Sequence, residues 1–248
     1  MKQVLGTLVF VIAAAVTSYL VRNFVFGGSP GDRSATLPVP DFDAAISSSP
    51  QGEMFQIIET NFPDEYHAIR SSIVAKANDP SSSEVEMFKH GMSEVQEFVL
   101  KNQHYSFFAP DSILIDLADG RADVFQKVQQ MDENACGALA MSRAYHSEQL
   151  ESLEAALLPI SVLNIKAMAA GKTSPEVRTR ASEQQWEEFW SQVSGRLSES
   201  TLSELATCNI EQLSPNASCD LLVQMNIYVS GLPDVESAFW VANLDGAE

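Results

Sequence analysis

Glu86, His90 and Glu94 stand four residues apart in this chain, with Glu97 just beyond, and on a helix that spacing brings all three onto one face. An imidazole between two carboxylates is a set that metal ions use. The neighbouring residues argue the other way. Val85, Phe88, Met92, Val95 and Val99 recur at spacings of three and four, an apolar stripe that must turn toward a core. Turning the stripe inward puts His90 on the far side, between Glu86 and Glu94 in solvent, whereas metal sites in helical bundles project their ligands inward from several helices. The three are therefore expected to be exposed polar residues, with weak surface metal binding as the alternative, and neither a metal nor a cofactor is expected. His67, His104 and His146 have no comparable spacing, although Asp64 and His67 could share a helix face and His104-Tyr105 precedes a helix.

Three further motifs break on their spacing. Gly171-Lys172-Thr173 matches the end of a phosphate-binding loop, but the earlier glycine such a loop needs falls at Lys166 and no buried strand leads in. Gly91-Met92-Ser93-Glu94-Val95 opens like a nucleophile elbow yet lacks the closing glycine and sits mid-helix, where that sharp turn cannot form. Asp116, Asp119, Gly120 and Asp123 suggest a calcium loop, but that loop wants acids two apart and Ile115 and Leu117 interrupt the register. They read as a solvated helix face. Asn216-Ala217-Ser218 fits a glycosylation acceptor and also a polar turn opening a helix. Catalytic residues stay unassigned, and an enzyme is the less favoured reading.

The three cysteines support a structural inference. Cys208 ends one predicted helix and Cys219 opens the next, with Pro215 at the bend between them. If those helices form an antiparallel hairpin, a Cys208–Cys219 disulfide across its neck is the expected pairing, with a bond from either to Cys136 as the alternative. Cys136, in Ala135-Cys136-Gly137-Ala138, reads as a small buried residue, since no basic side chain lies beside it to lower its pKa. No C-x-x-C is present, so neither a thioredoxin-like site nor a zinc knuckle is indicated.

The elements carrying these residues are helical throughout. Leu150, Leu153 and Leu157 form a second apolar stripe; Trp186, Phe189, Trp190, Val193 and Leu197 form a third that carries much of the aromatic area available to a core. Phe62-Pro63-Asp64, Ala109-Pro110-Asp111 and Leu232-Pro233-Asp234 each place a proline where a first helical residue needs no N–H, followed by an acid suited to the helix's positive end. Ser174-Pro175-Glu176 and Ser214-Pro215-Asn216 add a serine cap. These signals predict about eight helices, near 53–61, 63–77, 82–103, 110–131, 133–171, 175–197, 199–209 and 215–230, with a short one after Pro233. Pro159 should kink or split the longest. The fold class is all-α, an irregular multi-helix bundle.

Ahead of the bundle, Val4 to Val21 holds no charge and Arg22 closes it, so residues 1–26 read as a membrane anchor. A cleaved signal peptide with Ala13 and Ala15 at the cut is the alternative. Residues 27–52 hold four Pro, four Gly and five Ser, which predicts a flexible linker with a span of about 30 Å. Residues 53–248 form the expected extracytoplasmic domain. The whole formal charge of −18 falls on it, because the first 52 residues hold equal numbers of acids and bases. Such a sign argues against nucleic acid and anionic lipid surfaces as partners of the domain, since both need clustered Lys and Arg. The reading is a single-pass membrane protein, in contact with the bilayer through its N-terminal helix, whose domain serves protein interaction or envelope support. A helical domain binding a small ligand or cation, and an enzyme assembled from distant helices, are the alternatives.

Overall fold

Serine and proline set most of the helix starts. A computed structural model describes residues 39–140 and 147–245, all of whose regular elements are helical. The elements are α1 (Val39–Ser47), α2 (Gly52–Asn61), α3 (Pro63–Ala77), α4 (Glu84–Asn102), α5 (Asp111–Met131), α6 (Glu133–Ala140), α7 (Ser147–Thr173), α8 (Glu183–Ser194), α9 (Glu199–Thr207), α10 (Pro215–Ser230) and α11 (Asp234–Asp245), with short 3-10 helices at Gln103–Phe108 and Ile210–Gln212. Ser83 and Ser182 close full capping boxes with Glu86 and Gln185, and the Ser198 and Ser214 hydroxyls accept from Thr201 and Ala217 N–H groups. Pro63 and Pro215 sit in the first turns of their helices.

Two cores flank one helix. Leu114, Leu117, Phe125, Val128, Leu139, Phe189, Val193 and Val223 belong to the first, from α5, α6, α8 and α10. Phe42, Met54, Phe55, Ile58, Phe62 and Phe98 belong to the second, from α1, α2 and α4 with the Phe62 junction. α7 supplies both: Leu153, Leu157, Ile160 and Ala167 enter the first, and Val162, Ile165 and Met168 enter the second. A helix apolar on more than one side is what such a central position demands. Two glycines permit the closest approaches. A side chain at Gly137 would strike the Pro215 backbone where α6 crosses α10, and one at Gly171 would strike the Tyr105 carbonyl where α7 meets the first 3-10 helix.

Several sequence expectations need correction. Within the stretch expected to be linker, α1 is helical and buries Phe42 and Ile46; their spacing of four makes an anchoring pair that the Pro, Gly and Ser count hid. The segment expected to be helical from 175 starts only at Glu183, because residues 174–182 are held in irregular form against the body. There the Glu176 N–H donates to the Phe108 carbonyl at 2.8 Å, Arg178 to the Ala109 carbonyl at 2.6 Å, and the Ala181 N–H to Asn243 at 2.8 Å. α7 runs unbroken through Pro159, and both Pro159 and Ala155, whose carbonyl loses its partner, are exposed to water. The predicted 133–171 helix is described as two elements, α6 up to Ala140 and α7 from Ser147, and residues 141–146 lie outside the described residues. Among the described residues, no helix is long and apolar enough to cross a membrane. The proposed anchor, residues 1–26, lies outside them.

Candidate functional site

Ser72 on α3 meets His90 and Glu94 on α4. The Ser72 hydroxyl donates to Glu94 Oε1 at 2.8 Å and lies 2.8 Å from His90 Nε2. A hydroxyl has one hydrogen; with that hydrogen on Glu94, Nε2 must carry its own proton and donate to Ser72 Oγ. The chemistry is therefore opposite to a Ser-His-acid triad, in which the imidazole accepts the serine proton and the acid holds the other ring nitrogen. The arrangement clasps two helices. It also corrects the expectation that His90 lies in solvent opposite the stripe, for its side chain is 32% exposed and faces α3. Glu86 goes elsewhere: its carboxylate accepts from the Ser83 N–H and hydroxyl, bonds that hold its pKa below the ordinary glutamate value. Of the stripe, Val95 and Val99 are buried, while the side chains of Val85, Phe88 and Met92 lie outside the described residues.

A second polar cluster is buried outright. One Arg121 terminal nitrogen on α5 donates to Asn164 Oδ1 on α7 and to Asp245 Oδ2 at the end of α11, each at 2.7 Å. All three side chains belong to buried residues, and Arg121 Nε and Asp245 Oδ1 have no hydrogen-bond partner among the described residues. Arg121 occupies a core position between Ala118 and Phe125 on the α5 stripe, so a basic residue in an apolar register was the available sequence signal. The cluster joins three helices around a charge pair.

The remaining candidates take structural places. Lys172 of the Gly-Lys-Thr motif donates to the Asn61 carbonyl at 2.7 Å, closing the end of α2, and its ammonium lies 4.2 Å above the centre of the Phe62 ring. Asp116, Asp119 and Asp123 are exposed along α5. His67 lies 3.1 Å from Arg70 and His104 lies 3.0 Å from the Lys101 carbonyl; His146 is outside the described residues. Among the described residues, no group of three or more His, Cys, Asp or Glu is placed to hold a metal ion.

The disulfide is not the expected one. Cys136 pairs with Cys219, with Cα atoms 5.2 Å apart, and Cys208 is a half-buried free thiol. The Cys208–Cys219 expectation assumed that α9 returns on α10 at its neck; instead α6 lies there, brought close by Gly137 against Pro215. Glu204 ties α9 to that junction, its carboxylate accepting from the Ser214 N–H and hydroxyl at 2.8 Å each.

Partly exposed aromatics gather on α8. Trp186 and Trp190 stack with centroids 6.3 Å apart and planes 19° apart, backed by Phe189 and Trp240. Comparison with protein families, curated proteins and solved structures returns no match for this chain.

Proposed function

We propose that this chain is a membrane-tethered, extracytoplasmic protein-interaction domain, held to the bilayer by residues 1–26 and acting as a rigid helical scaffold without catalysis. The buried Cys136–Cys219 bond carries the reading. Disulfides persist in oxidising compartments and are kept reduced in the cytosol, so a staple between two core helices suits an exported domain. The polar clusters agree with a scaffold role. Ser72, His90 and Glu94 spend their hydrogen bonds on joining α3 to α4, and Arg121 spends its charge on α7 and α11.

The free thiol provides the test. A membrane-impermeant maleimide applied to intact cells carrying the full chain should label Cys208, with no label on a Cys208→Ser control. Labelling that appears only after the cells are lysed would place the domain in the cytosol and end this reading.

A further inference from the structure

Helix α8 carries an aromatic and acidic stripe along one edge. With 100° between successive residues, Phe189 and Val193 point into the core, Trp186 and Trp190 lie over one another on the flank, and Glu183 and Glu187 occupy the next row outward. The indoles reach the surface, and the two glutamates are exposed with no ion-pair partner among the described residues. The rings are also braced. Trp186 sets its edge against Trp240 at 5.0 Å, Trp190 against Phe189 at 5.1 Å, and Phe189 lies 4.3 Å from Trp240. Nearby guanidinium groups are occupied on other rings, Arg196 over Tyr228 and Arg180 over Phe107.

We propose that this edge of α8 docks a basic peptide segment of a partner protein, whose Arg or Lys side chains lie on the Trp186–Trp190 pair and ion-pair with Glu183 and Glu187. Charge complementarity selects that occupant. Tryptophan gives the strongest cation–π face among side chains, and rigid indoles beside carboxylates offer a guanidinium both a stacking surface and an acceptor. A domain of net charge −18 also draws a cationic partner from a distance. An acidic or purely apolar partner would gain nothing from the two glutamates. The site rests on the interaction-domain reading and names the chemistry of its partner.

Titration of the full chain, in neutral detergent, with a short Arg-rich peptide tests this by calorimetry and by indole fluorescence. Binding should quench the indoles and weaken with salt. Trp190→Leu, and separately Glu183→Gln with Glu187→Gln, should each weaken it about tenfold. The pair Asp116→Asn with Asp119→Asn on α5 should leave it within about twofold, since it alters net charge equally but lies elsewhere. Circular dichroism of the Trp190→Leu protein checks its fold, and the glutamine pair tests the site with the aromatic packing intact. Absence of binding, or equal weakening by the α5 pair, would overturn the proposal. Either result would leave the Cys208 labelling outcome, and with it the extracytoplasmic reading, standing.

Discussion

Cys136 and Cys219 lie 83 residues apart in sequence and 5.2 Å apart at Cα, so one bond ties α6 to α10 across α7, α8 and α9 in the chain order. Both residues sit in the core shared by α5, α7 and α8. The disulfide therefore fixes the crossing on which the first core is assembled.

Removing it should be costly. In the chain-entropy view a closed loop of this length restricts the unfolded chain by about 4.5 kcal/mol, and native disulfides are typically worth 2–5. Cys136→Ala with Cys219→Ala is expected to lower the urea unfolding free energy by about 4 kcal/mol, whereas Cys208→Ser should change it by less than about 0.5. Equal effects of the two substitutions would assign the staple wrongly.

The Arg121–Asp245 pair gives a second test. Removing one partner leaves a buried charge uncompensated, which costs about 3–5 kcal/mol, while replacing both with apolar residues removes the desolvation penalty as well. Asp245→Ala should therefore destabilise strongly, and Arg121→Met with Asp245→Leu should recover most of the loss. Additive losses in the double variant, measured by denaturant unfolding, would show that the charges stabilise on their own account.

Alkaline conditions probe the α1 contact. Burial first, and the Asp43 carboxylate second, push the Tyr66 phenol up from 10.0 to about 12, while Asp43 also accepts from Arg70 at 2.9 Å. A raised pKa means the folded state holds its proton longer. The stabilisation is complete below pH 10 and is lost as pH climbs toward 12. Tyr66→Phe should flatten this alkaline decline in unfolding midpoint; an unchanged slope would exclude Tyr66 as its source.

Acid conditions probe the junction of α9 and α10. Bonds from the Ser214 N–H and hydroxyl hold the Glu204 pKa below the ordinary value of 4.5. A depressed carboxylate stabilises the fold above that value and loses its effect as pH falls through the lowered one. Glu204→Gln should reduce the pH dependence of stability on the acid side, read from thermal midpoints across that range. Identical acid limbs for the two proteins would contradict the assignment.

Much of the architecture was legible because local signals agreed. Pro63 and Pro215 set helix starts, and the Trp186 to Leu197 stripe placed Phe189 and Val193 in the core. Two capping boxes, Ser83 with Glu86 and Ser182 with Gln185, stand in the sequence but were not read there, and the second marks the true start of α8, which the expectation put at 175. What escaped depends on contacts distant in sequence. The partner of Cys219 was hidden because α6 reaches α10 through a packing arrangement that no local spacing encodes. His90 was misplaced for the same reason: periodicity gives the face of a helix, but the helix that covers part of that face is a tertiary choice, here α3 presenting Ser72. Candidate residues were visible in the chain; their partners were not.

Disulfide mapping of the full chain, trapped with alkylating agent in intact cells and digested without reduction, tests the central claim most directly. The account predicts a linked pair of peptides carrying Cys136 and Cys219, with Cys208 alkylated. Three alkylated cysteines, or a link from Cys208 to Cys219, would contradict it.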